Sequence, residues 1–354
     1  MTARDPALGV VLVSYHSGDV ILDCLETLLA ERGVRLAIVV VDNGSSDDTL
    51  ERLRGWADGS EPWSVPSNLP FSLKPASKPV LLRTPNAPSL AIEGHAVTLI
   101  ETGRNGGFAA GVNAGLAHLA AEAAIDRFWI LNPDSMVQPG TARIFATERP
   151  EGDFSLLGGR LLYLEDSARI ESGRIQMDGG IIDYRTGVTY NINQFATHSE
   201  TPLPEPEAMD FITGASMVAS RRFYEMAGPM PEEYFLYYEE VDWALQRGDM
   251  PLVICDGAVV WHQAGTSIGS AAPGRSASPF SQYFKHRNRI RFVRRYSPLG
   301  LPTAFAYSLA KAAQLFITGD RAGARALLRG AFGLPPTAEI RERLSPDAQA
   351  LAFR

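Results

Sequence analysis

Asp126-Arg-Phe-Trp-Ile-Leu-Asn-Pro-Asp-Ser135 is the stretch around which the chain is organised. Phe128 to Leu131 run without a polar break and stop at Asn132-Pro133-Asp134. That is the pattern of a strand buried on both faces, delivering oxygen-bearing side chains to its carboxyl end. In open α/β sheets ligands bind there. Pro133 fixes its own φ, removes a backbone donor and restrains Asn132, so the tripeptide is a rigid corner that aims Asp134. A carboxylate held this way suits a hard divalent cation. The same residues also make an ordinary turn.

Upstream, Val10 to Val13 form a β-branched run ending in Ser14-Tyr15-His16, after which Ile21, Leu22, Leu25, Leu28 and Leu29 recur at helical spacing. A second strand, Leu36 to Val41, ends in Asp42-Asn43-Gly44-Ser45-Ser46. The β-α-β order puts Asp42 where a carboxylate reaches a ribose hydroxyl or a base edge, and Ser45 or Ser46 where it caps a helix over 48–56. Read alone, Asp42-Asn43-Gly44 is equally a turn before that helix. Residues 55–94 hold seven prolines and little periodicity, an insertion of loop and short edge pieces. A strand at 96–100 then leads into Thr102-Gly-Arg-Asn-Gly-Gly-Phe-Ala-Ala-Gly-Val-Asn-Ala-Gly115, whose small residues let backbone approach a ligand closely. This is neither the Gly-x-Gly-x-x-Gly fingerprint nor a phosphate loop. Arg104 and Asn105, just before Gly107, suit a pyrimidine edge or a diphosphate. The other reading is a small-residue helix packed tightly on the sheet.

Downstream, the pattern predicts a helix over 141–147, a strand over 155–164, a hairpin across the sheet within 170–193, a strand within 209–220 and a short helix over 221–226. Phe235-Leu-Tyr-Tyr-Glu-Glu-Val-Asp-Trp-Ala-Leu-Gln-Arg247 places Glu239, Glu240 and Asp242 among Tyr237, Tyr238 and Trp243. On a helix Glu239 and Asp242 share a face and Glu240 points elsewhere. Acids beside aromatic surface suit a raised pKa and general-base work; an amphipathic helix with its acids in water is the plainer reading. Two strand pieces, 252–255 and 258–261, lead into His262-Gln-Ala-Gly-Thr-Ser267, where the histidine suits a metal or phosphate. Lys285 to Tyr296 carries six Lys or Arg in twelve positions with apolar anchors between them, and helices follow over 301–317 and 322–332. Such a segment lies on anionic lipid, holds a diphosphate, or is a solvated face.

The chain has 354 residues, 45% hydrophobic and 21% charged, the composition of an ordered globular protein. Its net charge of −7 argues against general nucleic-acid binding. Two cysteines, Cys24 and Cys255, give neither a metal spacing nor a bridge framework and point to a reducing compartment. With no secretory segment and no spanning run, the expectation is a cytoplasmic protein, at most lying on the inner face of a membrane.

In order along the chain, Val11-Leu-Val-Ser-Tyr15, Val39-Val-Val-Asp-Asn-Gly-Ser45, Asn105-Gly-Gly-Phe-Ala-Ala-Gly111, Leu131-Asn-Pro-Asp134, Gly214-Ala, Phe235-Leu-Tyr-Tyr-Glu-Glu-Val-Asp242 with Arg247, and His262-x-x-Gly-x-Ser267 resemble the inverting, nucleotide-sugar-dependent glycosyltransferases of family 2 with the GT-A fold. The likeness is greatest to the rhamnosyltransferase-like branch. It implies an α/β fold, a mostly parallel Rossmann-like central sheet with a helical C-terminal extension, divided as a catalytic domain over 1–275 and an extension over 276–354. It implies a sugar moved from a nucleotide-diphospho-sugar donor to a hydroxyl of a glycan or lipid-linked acceptor in cell-surface polysaccharide synthesis. The sugar would be a deoxyhexose such as rhamnose, a hexose or galactofuranose.

Residue by residue, the resemblance assigns the nucleotide-sugar to Ser14, Tyr15, Asp42, Asn43, Arg104, Asn105, Gly107 and Asn132. It assigns Mg²⁺ or Mn²⁺ to Asp134, with His262 completing the shell, and the base to Glu240 beside Glu239 and Asp242. Trp243, Arg287 and Asn288 would touch acceptor or diphosphate, and 285–333 would make a peripheral membrane contact. Two departures stand out: Asn132 replaces the first acid of the metal motif, and Glu240 is one methylene longer than the family's aspartate. A sugar nucleotidyltransferase would need a basic glycine-rich loop near the first strand, and Val13-Ser-Tyr-His-Ser-Gly18 has no Lys or Arg. A module that binds nucleotide-sugar or glycan without turnover would not need Asp134, Glu240 and His262 together.

Overall fold

The computed structural model describes residues 5–149, 151–164, 173–263 and 277–354. In chain order the elements are β1 (Ala7–Ser14), α1 (Ile21–Leu29), β2 (Arg35–Asp42), α2 (Thr49–Asp58), β3 (Leu82–Arg83), β4 (Ala96–Glu101), α3 (Phe108–Ala120), β5 (Arg127–Leu131), β6 (Ser135–Val137) and α4 (Thr141–Thr147). Then come β7 (Leu156–Tyr163), β8 (Ile175–Met177), β9 (Gly180–Asp183), β10 (Val188–Asn191), β11 (Ser216–Ser220), α5 (Arg221–Ala227), α6 (Glu239–Leu245) and β12 (Leu252–His262). Five helices close the chain: α7 (Pro279–Tyr296), α8 (Leu301–Ile317), α9 (Arg321–Ala331), α10 (Ala338–Glu342) and α11 (Pro346–Ala352).

The sheet order is β3-β4-β2-β1-β5-β11-β7-β12-β6, with β8 on β7. The half from β3 to β5 is parallel throughout, and β11 and β6 run against their neighbours. This is the expected α/β architecture with a mostly parallel sheet and C-terminal helices. The order reverses around β1, whose neighbours are β2 and β5. A crevice therefore opens beyond Ser14 and Leu131, where the sequence places its polar residues. β1, β2 and β5 read as continuous apolar runs because helices cover both faces.

The small residues of α3 are explained in part by packing. A Cβ on Gly111 or Gly115 would come within 2.6 or 2.5 Å of Val13 or Val11, so α3 lies directly on β1. Gly107 differs: its φ is +90°, and a Cβ there would strike the Phe235 carbonyl oxygen at 2.4 Å. It lets the loop before α3 meet the loop before α6, where Phe108 N–H donates to that same carbonyl.

Three boundaries differ from expectation. The pieces at 252–255 and 258–261 are one strand, its pairing with β7 shifting register between Ile254 and Val259 around exposed Asp256 and Gly257. The insertion begins later than residue 55, because α2 continues to Asp58. It is tied down by buried Glu26 on α1, which accepts from Trp56 Nε1, Ala76 N–H and Lys78 Nζ. The expected hairpin within 170–193 is β9 and β10, which pair as a separate two-stranded sheet, while β8 joins the main sheet. The division at 275/276, and Gly265 and Ser267 of the His262 motif, lie outside the described residues.

Candidate active site

A cleft of about 480 Å³ opens at the carboxyl ends of β1 and β5. Tyr15, Asn43, Asn105 and Gly107 line one side, Asn132, Asp134 and His262 the floor, and Glu239 and Glu240 the opposite wall. Residues far apart in sequence are thus brought together as the motif order implied.

On the floor, His262 Nε2 lies 3.2 Å from Asp134 Oδ1 and 3.2 Å from Asn132 Nδ2. Its Nδ1 lies 2.9 Å from Gln176 Oε1 on β8. With that amide oxygen as acceptor, Nδ1 carries the proton and Nε2 turns its lone pair toward the Asp134 carboxylate. Two electron-pair donors at this spacing fit a shared divalent cation, and the amide behind the ring is the outer support such ligands use. Among the described residues no third His, Cys, Asp or Glu joins them. Gln176 was not expected from the sequence: it sits in a weakly alternating stretch with no motif.

On the nucleotide side, Ser14 and Asp42 are buried at adjacent strand ends, each with one oxygen, Ser14 Oγ and Asp42 Oδ1, lacking a hydrogen-bond partner. The other Asp42 oxygen accepts from Gly44 and Ser45 N–H, which fixes the carboxylate. Buried polar atoms left open cost free energy unless a ligand satisfies them. Asn43 acts chiefly as a clamp: Nδ2 donates to Asn105 Oδ1 and the Gly107 carbonyl, and Oδ1 accepts from Gly106 N–H. Arg104 does not reach this cleft. It is exposed along a neighbouring one of about 810 Å³, with Asn43, Glu232, Arg291 and Arg295.

The wall opposite is built on unusual backbone. Phe235, Tyr237 and Tyr238 have φ of 64°, 68° and 77°, left-handed values that bulky residues seldom adopt. Asn288 on α7 holds this loop, its Nδ2 lying 2.8, 2.7 and 3.1 Å from the carbonyls of Tyr234, Leu236 and Tyr237. Arg287 donates to the Tyr234 and Ala352 carbonyls. Tyr238 Oη donates to the Gly187 carbonyl, and Tyr237 Oη shares a hydrogen bond with Ser281 Oγ. The turn delivers both Glu239 and Glu240 to the cleft, each with Oε2 buried and without a hydrogen-bond partner. Burial raises both carboxyl pKa values. Glu239 is pushed further by the neighbouring Glu240; backbone N–H groups pull both back down, and Lys285 does so for Glu240.

Four expected contacts are corrected. Asp242 does not share the cleft with Glu239: it is fully buried, accepting from Tyr234 Oη, Tyr296 Oη, Gln246 Nε2 and Arg295 Nη1. Helical spacing alone misplaces it because the Tyr234 and Tyr296 hydroxyls and Arg295, none of them on α6, draw its carboxylate into the core. Trp243 is buried in the core and donates to the Gly228 carbonyl. Arg287 and Asn288 are buried behind the loop and support the site instead of lining it. Lys285 is the cation of that helix that enters the cleft, 5.6 Å from the Tyr237 ring.

Residues 9–66 match the family model described as Glycosyl transferase family 2. The matched residues include Ser14, Tyr15, Asp42 and Asn43. Over 197 residues, 54% of this chain, the sequence is 24% identical to the low-salt glycan biosynthesis hexosyltransferase Agl10 of Haloferax volcanii. The chain spans 58% of that relative's length. In fold it is similar to a crystal structure of GalNAc-T7 with UDP, GalNAc and Mn²⁺, at TM-score 0.50 and 12% identity, covering 83% of this chain and 48% of the other. The mannosyltransferase PcManGT of Pyrobaculum calidifontis, solved with GDP-Man and Mn²⁺, aligns at TM-score 0.45 and 17% identity, over 99% of this chain and 86% of the other. The likeness to GalNAc-T7 shows the fold, a mixed α/β sheet of the GT-A type.

Proposed function

We propose that the protein is an inverting glycosyltransferase of the rhamnosyltransferase-like branch. It would transfer a deoxyhexose such as rhamnose, or a hexose or galactofuranose, from a nucleotide-diphospho-sugar to a glycan or lipid-linked acceptor of the cell surface. One observation carries the reading: a single cleft sets the Asp134–His262 pair against Glu239 and Glu240, and the buried open oxygens of Ser14 and Asp42 lie next in sequence to its lining residues Tyr15 and Asn43. Ser14 and Asp42 would receive the nucleoside, and Asn43, Asn105 and Gly107 shape the loop beside it. Asp134 and His262 would hold Mg²⁺ or Mn²⁺, which when bound supplies Lewis-acid stabilisation of the departing diphosphate. Glu240 takes the proton from the acceptor hydroxyl as that oxygen attacks the anomeric carbon, and Glu239 orients the acceptor. A single displacement inverts the centre. Residues 1–275 serve as the catalytic region and 276–354 as a helical extension that backs the Glu239–Glu240 wall. A place at the inner face of the cytoplasmic membrane belongs to the same reading.

The test is release of nucleoside diphosphate from a panel of nucleotide-sugars with Mn²⁺ or Mg²⁺, with and without glycan acceptors. One donor should turn over, and Asp134→Asn should lower that rate by about 10²-fold or more. Undiminished turnover in excess chelator would overturn the metal assignment.

A further inference from the structure

α8 is apolar on both sides. Its inner face, Ala304, Ser308, Ala312 and Leu315, is buried against α7 and α9. Its outer face presents Ala306, Leu309, Ala310, Ala313, Phe316 and Ile317 at helical spacing, all exposed. Leu309 is 52%, Phe316 57% and Ile317 82% open, and Leu299 just before the helix is 96% open. Lys311 is the one charge within the helix. A helix apolar all round is normally enclosed, yet no described part of the chain covers this side.

Charge identifies what does. Residues 277–354 carry 13 Lys and Arg against 4 Asp and Glu, in a chain whose net charge is −7. On α9, Arg321 and Arg325 are exposed, and the Arg321 guanidinium lies 5.4 Å from the centre of the Phe316 ring. An apolar stripe rimmed by cations matches acyl chains bordered by anionic headgroups. A second copy meeting this one across a two-fold axis would bring the same cations face to face. At 17 residues α8 is short of the ~20 needed to span a bilayer, and no helix of the described residues is long and apolar enough to cross a membrane. It is suited to lie in the interface. α8 is also tied to an element of the cleft. Thr303 Oγ1 at the start of α8 donates to the Arg185 carbonyl in the β9–β10 turn, and that hairpin places Thr189 and Asn191 in the cleft.

We infer that the outer face of α8, with Leu299 and the cations of α9, docks the protein on an anionic membrane beside the mouth of its cleft. The consequence for a lipid-linked acceptor rests on the glycosyltransferase reading; the docking does not. It also narrows the membrane contact expected over 285–333 to α8 and α9, with Leu299 before them, because much of α7 is buried.

The experiment is flotation of the full chain with phosphatidylcholine vesicles, with and without phosphatidylglycerol. The wild type should bind the anionic vesicles, less so in high salt. Joint substitution Phe316→Glu and Ile317→Glu should lower binding by about tenfold or more, with unchanged Tm because both side chains face outward. Arg321→Glu with Arg325→Glu should abolish the preference for anionic lipid. Nucleotide release without vesicles should be equal in all three proteins. Equal flotation of wild type and the Phe316/Ile317 variant, or no binding of the wild type to anionic vesicles, overturns the proposal. So does a wild-type dimer in light scattering that the same substitutions dissolve. Vesicle binding without donor turnover supports the docking and overturns only the glycosyltransferase reading.

Discussion

Two adjacent glutamates in one cleft cannot both be ionised cheaply, and their surroundings decide which is the base. Burial raises both, but Glu240 alone has Lys285 as a counter-charge. Glu240→Gln is therefore expected to lower kcat by about 10²- to 10⁴-fold with donor affinity nearly unchanged, since a base acts in the transition state. Steady-state kinetics with donor binding measured separately check this; a larger kcat loss in Glu239→Gln than in Glu240→Gln would transfer the role. The ring of His262 is aimed by Gln176, so Gln176→Leu should weaken Mn²⁺ binding by about 10- to 100-fold, read by calorimetry on the resting protein. Unchanged Mn²⁺ affinity would leave Gln176 a packing residue. Asp134, His262 and the Glu239–Glu240 pair were legible in the sequence because each ends a strand or opens a helix. Gln176 was not, because its importance comes from the pairing of β8 with β7, which nothing local encodes.

At the scale of elements, the left-handed turn at Phe235, Tyr237 and Tyr238 is held from outside by α7. The basic run of α7 was legible, but its role was not: charge counting cannot see that Arg287 and Asn288 turn inward to backbone carbonyls left open by the turn. Asn288→Ala should cost about 1–3 kcal/mol of stability by leaving buried carbonyls unpaired, and should lower kcat more than it raises donor KM. A thermal melt paired with kinetics tests both halves; a kcat that stays at the wild-type value would show the loop holds without it. The other end of the molecule has its own buried acid. Glu31, at the end of α1, accepts from Gly140 and Ala142 N–H at the start of α4, yet burial pushes its pKa up to about 7. A carboxyl pKa raised on folding means the folded state holds its proton more tightly. This contribution is thus fully present below pH ~4.5 and is lost as pH rises through about 7, by on the order of 3 kcal/mol. Glu31→Gln should flatten the fall in Tm between those limits, and an identical fall in the variant would remove Glu31 as its cause.

Across the whole molecule, the sheet and the C-terminal helices are not separable in packing. Ile290, Phe292 and Val293 of α7 belong to the same apolar cluster as β1, β2 and β5. Conversely, the cluster formed by Phe280, Phe284, Ile340 and Leu344 is completed by Phe235 and Leu236 from the loop of the Glu239–Glu240 wall. The change of composition near residue 276 suggests a boundary because sequence reports what a segment is made of and not what it is packed against. Two regions that bury each other's apolar side chains lose both cores if either unfolds, so the chain should melt in one transition with calorimetric and van't Hoff enthalpies equal. Asn288→Ala should shift that whole transition downward, and donor nucleotide with Mn²⁺ should shift it upward by mass action, since the ligand binds only the folded form. Two resolved transitions, with the substitution moving one and the nucleotide the other, would mean that the Glu239–Glu240 wall can be assembled without the helices that here hold its strained turn.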